Sequence, residues 1–323
     1  MSKRFLCLFF IVSFVVLFIG DSRFIFAGEG EAVADLSSNP HSSERYKPGF
    51  FKHEHLLDDF HQRKTLESKG LSLELVFTAD FVTNHSGGLK KAGSGVDTSI
   101  SYLANTDLTA ELDTEAAGLW KGGTFFVYLL NNHGANPSEF YIGDLQIVSN
   151  IETKDATRLY ELWYEHHFDL YDTDLSILIG QHDLNSEFNL TEYGLLFTHS
   201  SFGIQPDISA NVPVSIFSVA APAFRLKWEP TDSIHFMAAV YDGDPGAPDV
   251  NRSGMRWRLS SEEGFMYIYE MGYHFGDPED SQTFPGSYKL GYWHHTAEFN
   301  DVRDTDANEN PLEHHKNYGM YFA

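Results

Sequence analysis

The chain of 323 residues holds one cysteine, Cys7. It lies in an N-terminal stretch that reads as a cleaved export signal, so the mature chain is expected to have no thiol. That excludes a disulfide framework, a thiolate nucleophile and a cysteine metal site. Basic residues are scarce as well: 22 Lys and Arg stand against 46 Asp and Glu, a net charge of −24. Losing residues 1–27 removes three bases (Lys3, Arg4, Arg23) and one acid (Asp21), which takes the charge to −26. Nucleic acid and phosphate polyanions are therefore not expected as partners. Long apolar runs are missing too. Phe5–Ile19 spans 15 residues, short of the about 20 that a membrane-crossing helix needs. Preceded by Lys3 and Arg4, and followed by the small Ala27, it is expected to be a signal peptide.

Catalytic signatures are also lacking. The chain has no GxSxG, no HExxH and no Gly-rich phosphate loop. His182 beside Asp183 and His199 beside Ser200 come nearest to a catalytic pair, and no enzyme is expected. Sixteen histidines invite a metal reading. However, His166-His167 and His294-His295 are neighbours on strands, where adjacent side chains point to opposite faces. No metal and no other cofactor is expected.

What is present is aromatic and alternating. Phe, Trp and Tyr make up 15% of the chain, a load that suits the two interfacial girdles of a membrane barrel. From Leu71 the apolar period is two. Leu71, Leu73, Leu75, Phe77, Ala79 and Phe81 alternate with Ser72, Glu74, Val76, Thr78 and Asp80. Leu108, Ala110 and Leu112 alternate with Asp107, Thr109, Glu111 and Asp113. Tyr160, Leu162, Tyr164 and Phe168 are set against Glu161, Trp163, Glu165 and His167. Phe224, Leu226 and Trp228 are set against Arg225 and Lys227. Phe265 to Phe275 carries the same pattern around Glu270 and His274, and Tyr288, Leu290 and Tyr292 carry it around Lys289 and Trp293. In a barrel the apolar series faces lipid and the polar series a wet lumen. The strands around Thr124–Leu130, Leu175–Gly180 and Ile234–Tyr241 are apolar on both sides.

Connection lengths separate a barrel from a sandwich. Short turns are expected at Tyr171–Asp174, Pro230–Asp232 and Asp277–Gly286. Long loops are expected at Asn84–Val96, Asn131–Thr157, Asp183–Ala221, Asp242–Glu263 and Asn300–Lys316. Long and short alternate, as in an up-and-down barrel whose long loops share one end. The organisation expected is a signal peptide over 1–27, a polar leader with a helix over His53–Lys69 in 28–70, and a barrel domain over 71–323. The fold class expected is all-β, a transmembrane antiparallel up-and-down barrel.

Three segments carry a resemblance: Gly122–Gly134 (GGTFFVYLLNNHG), Gly143–Glu152 (GDLQIVSNIE) and Arg158–Glu165 (RLYELWYE). They resemble the carbohydrate-selective porin (OprB) family, from about Leu56 onward. The resemblance implies an outer-membrane barrel of sixteen strands for passive diffusion of mono- and small oligosaccharides. About ten strands can be counted, the last over Asn317–Phe322, so the barrel is expected to be C-terminally incomplete. Asp183–Gly194 (DLNSEFNLTEYG) and Ser200–Ser209 (SSFGIQPDIS) resemble the family's pattern for a loop that folds inward and narrows the pore. That implies a place on the substrate path for Asp183, Asn185, Glu187, Glu192, Tyr193 and Asp207. The alternation adds Glu161, Trp163, Glu165, Arg225, Lys227, Glu270 and Trp293 as lumen-facing residues. Small sugars and outer-membrane lipid are the expected partners, and assembly with further copies of the chain is left open. A general diffusion porin of the same fold, or a surface barrel without transport, are the alternatives.

Overall fold

The computed structural model describes residues 62–85, 87–89, 100–170, 173–276 and 284–323. Of the helix expected over His53–Lys69, residues 53–61 lie outside the described residues, and α1 (Gln62–Glu67) is helical. Gly70 ends the turn that follows, with φ +78°, a conformation glycine adopts without steric cost.

Ten strands follow: β1 (Leu71–Thr83), β2 (Ile100–Asp113), β3 (Gly123–Gly134), β4 (Ala156–Leu170), β5 (Thr173–His182), β6 (Ala221–Thr231), β7 (Ile234–Asp242), β8 (Phe265–Phe275), β9 (Gly286–Thr305) and β10 (Pro311–Phe322). Each pairs antiparallel with its neighbour in sequence, giving one sheet in the order β1 to β10. This is the up-and-down topology that the connection lengths require. β4 to β5 and β6 to β7 turn in two residues, whereas β3–β4, β5–β6 and β7–β8 are joined by 21, 38 and 22. The long connections leave one end. At the other end Gly122, φ +77°, lies where an added Cβ would come 2.6 Å from the His167 carbonyl oxygen, so only glycine fits the hairpin.

The two faces separate as the alternation predicts. Phe224, Leu226, Trp228, Phe236, Tyr269, Met271, Tyr273, Tyr288, Leu290 and Tyr292 are exposed on one face. Arg225, His235, Met237, Ile268, Glu270, Lys289 and Trp293 are buried on the other. Near the short-turn end the apolar face carries a band of paired rings. Trp228 stacks on Phe236, Phe275 on Tyr288, and Phe125 packs against Tyr164. Trp120 donates from Nε1 to the Tyr164 hydroxyl (2.8 Å). Rings that are apolar in body and polar at the tip suit a membrane interface.

Two expectations fail. Tyr160 faces inward rather than toward lipid, because β4 bulges against β3. Tyr128 pairs with Glu161 and Leu129 with Leu159, which leaves Tyr160 unpaired. One extra residue shifts the phase of the alternation, so Tyr160 and Glu161 both lie on the inner face and are buried. Leu162 and Tyr164 keep the outward side. Asn300–Lys316 is likewise not a long loop. β9 runs to Thr305 and β10 begins at Pro311. The hairpin tip is held by Asp306, whose carboxylate accepts from the backbone N–H groups of Asn308 and Asn310. Asp301–His314 and Glu298–His315 pairs link the two strands below it. Its composition is polar on both faces, so no alternation marked it as strand.

Candidate functional site

The inner face is covered by the 38 residues between β5 and β6. The segment leaves β5 through Asp183, whose carboxylate accepts from the Asn185 backbone N–H (2.8 Å) and caps a single 3₁₀ turn. Asn189 then reverses the chain at φ +55°, a left-handed conformation that asparagine tolerates better than other side-chain-bearing residues. Further short turns follow at Glu192–Leu196, Ser200–Phe202 and Pro206–Ser209. The exit is tied to the entrance. The Ser215 hydroxyl donates to the His182 carbonyl (2.6 Å) and accepts from the Ala221 N–H (2.7 Å).

The underside of this loop is apolar. Leu184, Phe188, Ile204, Ile208, Val212 and Val214 pack against Met237, Ala239 and Tyr241 of β7, Met266 and Ile268 of β8, Trp293 of β9 and Tyr321 of β10. A second contact joins Leu130 of β3, Tyr160 of β4 and Ala220. Two of the three strands that read as apolar on both sides are accounted for here. β7 gives Met237 and Ala239 to the loop, β3 gives Leu130, and β5 carries the buried Leu178.

Polar pins hold the rest. Arg225 is 1% exposed and reaches up from β6. Its guanidinium donates to both oxygens of Glu187 in the loop (2.7 and 2.6 Å), to Glu165 of β4 (2.8 Å) and to the Ser176 hydroxyl of β5 (2.6 Å). Five donors in a planar fork make arginine suited to such a junction. Glu270 of β8 accepts from the Asn189 backbone N–H (2.9 Å) and the Tyr321 hydroxyl (2.6 Å). Lys289 donates to the Leu190 carbonyl (2.7 Å), and Trp293 Nε1 to Asp207 (3.3 Å). Tyr160 donates to Asp183 (2.7 Å), and the Asp183 N–H donates to Glu161 (2.8 Å). Burial pushes the Asp183 carboxyl up to about 6, against the opposing pull of the Tyr160 and Asn185 hydrogen bonds.

The loop is braced from the other side by the β3–β4 connection. Asn150 donates to the Thr198 and Phe197 carbonyls (2.6 and 2.8 Å), and Ser200 N–H to the Ile147 carbonyl (3.1 Å). That connection reaches the far wall through Ser149, which donates to Asp80 of β1 (2.6 Å).

The residues singled out in the sequence thus divide. Asp183, Glu187, Glu161, Glu165 and Arg225 come together in one network. Asp207 of the loop pairs with Trp293 of the wall, and Glu270 separately holds the Asn189 N–H of the loop. Arg225, Glu270 and Trp293 lie on the inner face, where the docked loop covers them, and they touch loop atoms rather than open lumen. Asn185 donates to the Phe188 carbonyl and shapes the loop (3.2 Å). Lys227 pairs with Glu229 on its own strand (3.0 Å). Trp163 stacks beside Phe126 of β3. The side chains of Glu192 and Tyr193 lie outside the described residues. Sequence reading missed Tyr160 as an inner anchor, and missed Asn189 and Lys289 as loop anchors. Among the described residues no three His, Cys, Asp or Glu side chains are grouped to hold a metal ion.

Comparisons with known proteins bear on this geometry. A family model described as "Carbohydrate-selective porin, OprB family" matches residues 97–323. "Porin B" of Pseudomonas aeruginosa is 25% identical over 281 residues, covering 83% of this chain and 58% of that protein. A solved structure described as "High pH structure of Pseudomonas putida OprB" superposes with a TM-score of 0.69 at 22% identity, over 82% of this chain and 63% of the other. At that identity the likeness shows the fold. The chain spans roughly three fifths of the length of each of these two relatives, by the 58% and 63% covered.

Proposed function

The chain belongs to the carbohydrate-selective porin (OprB) family, and from that premise we propose that it passes small sugars through an outer-membrane barrel by passive diffusion. Its family lies in the outer membrane, and the porins it resembles are transporters, which supports this reading over an enzyme. On this reading 1–27 directs export, 28–70 is a leader, and 71–323 contributes the barrel wall.

The observation that carries the proposal is the 38-residue β5–β6 loop. It lies on the inner face, fixed by an apolar underside and by the Arg225 junction. A loop so anchored narrows the passage at a set width. Its upper surface and the wall beside it offer carboxylates, amides and rings, groups that exchange with water on sugar hydroxyls or pack on a C–H face. Asp183, Glu187 and Glu165 stand at the border between loop and wall. Passage also requires that binding be weak enough to release the solute.

Planar-bilayer conductance of the purified protein, with glucose added stepwise, tests this. Current that falls saturably with glucose supports sugar passage. Current that responds only to solute size indicates a general diffusion porin, and absence of channels indicates a barrel without transport.

A further inference from the structure

Beside the docked loop, the inner wall carries a pair of stacked rings, Phe126 and Trp163, outside both apolar clusters under the loop. Glu111 of β2 stands directly opposite Phe126 of β3, and Phe126 opposite Trp163 of β4. The two rings lie nearly parallel, with centroids 4.8 Å apart and 22° between planes. Tyr128 meets Phe126 edge-on (6.3 Å). Both stacked residues are half-buried, and Glu111 is exposed. Gly180 of β5 follows Trp163 in the row and presents no side chain.

The carboxylates of this patch differ in how they are partnered. Glu161 and Glu165 flank Trp163 at two-residue spacing on the same strand face. Glu165 is compensated by Arg225, and Glu161 accepts from the Asp183 N–H. Glu111 differs: the charged groups that bear on it are Asp113 and Glu165, both acids. An exposed carboxylate on which no basic group bears among the described residues, next to a pair of rings, matches a ligand with a cationic group beside an apolar face. Ammonium groups are drawn to carboxylates and to aromatic faces, while the C–H face of a sugar ring packs on aromatic carbon. We propose that Glu111, Phe126 and Trp163 form a subsite for protonated amino sugars, with the ammonium at Glu111 and the pyranose face on the rings. The inference rests on the sugar-porin reading and narrows it to a preferred solute class.

The test compares block of ion current in planar bilayers at low salt and about pH 6, where an amino sugar is protonated. Glucosamine, N-acetylglucosamine, glucose and methylammonium are the probes. Glucosamine is expected to half-block at a concentration about tenfold below glucose. N-acetylglucosamine, which lacks the charge, should match glucose, and methylammonium, which lacks the ring, should not block. In Glu111→Gln the glucosamine advantage should vanish, and in Phe126→Ala it should shrink. Equal block by glucosamine and glucose in the unaltered protein overturns the proposal, as does an advantage that survives Glu111→Gln. Strong block by methylammonium would show a site that reads charge alone, and also overturns it. Equilibrium dialysis of radiolabelled glucosamine against the detergent-solubilised protein measures the same preference without a channel or a variant. Loss of glucose block altogether would instead strike the sugar-porin reading.

Discussion

Gln181 donates both hydrogens of its side-chain amide to the carbonyls of Leu159 and Tyr160 (2.8 and 2.7 Å). Those are the peptide groups beside the extra residue of β4, whose ladder with β5 begins at Leu162 opposite Gln181. The amide oxygen of Gln181 in turn accepts from Trp257 Nε1 (2.5 Å). One buried side chain thus supplies partners to β4 carbonyls beyond the end of its ladder with β5, and the bulge against β3 turns Tyr160 inward to meet Asp183. Gln181→Leu should leave two buried carbonyls unpaired, at about 1–3 kcal/mol. A lower temperature for loss of the compact form in heat-modifiability gels checks it. Retention of the parental temperature would mean that water or a neighbour satisfies both carbonyls.

Arg225 should be the costliest single anchor. Arg225→Ala strands Glu165 and Glu187 without their partner, a loss of about 3–5 kcal/mol of docking. The loop should then become protease-sensitive between 183 and 220 while the sheet survives. Adding Glu187→Gln to Arg225→Ala should recover part of the loss, since it removes one of the stranded charges. Limited proteolysis followed by mass spectrometry distinguishes loop release from global unfolding.

The Asp183 anchor should respond to pH. Its carboxyl is held up near 6 by burial, against about 3.9 for an unfolded aspartate. A raised folded value means that docking favours the protonated form. The contribution is full below about pH 4 and declines as pH rises through 6. Amide hydrogen exchange of the loop should therefore be slower at pH 4 than at pH 7, after correction for intrinsic rates. Asp183→Asn should flatten the profile.

Facing can be checked by substitution on the two sides of the sheet. Leu162→Arg puts a charge toward lipid and should cost about 2–4 kcal/mol near the midplane. Glu111→Arg, on the lumen side, should cost far less. Ile268→Ala is also on the lumen side, yet it opens a cavity under the loop and should cost about 2–5 kcal/mol. Urea-dependent folding into lipid vesicles ranks the three. A harmless Ile268→Ala would show that the loop does not seat there.

The strands were legible because their period is two and one face is apolar, and the connection lengths fixed the order β1 to β10. The inward loop was legible only through resemblance. Its physical signal was nonetheless in the sequence: Met237, Ala239 and Leu130 are apolar on the side that should be wet. Such residues need a cover, and the β5–β6 segment supplies it with Leu184, Phe188 and Ile208. Two things hid from a residue-by-residue reading. The bulge at Tyr160 depends on pairing with β3, which no local pattern records. The β9–β10 hairpin beyond Asn300 is polar on both faces, so strand and loop look alike there.

His182 pairs with Ala221, so the loop begins and ends on two residues already side by side in the sheet. Joining β5 to β6 therefore closes the ring of 38 residues before any of its own contacts form. Its seat comes later, since Met237, Met266, Ile268 and Trp293 arrive only with β7, β8 and β9. During assembly the greasy underside of the segment waits without a place to rest. Folding order, rather than the finished architecture, is thus where this protein is most open to aggregation. The wall strands that follow act as the dock that brings that exposure to an end.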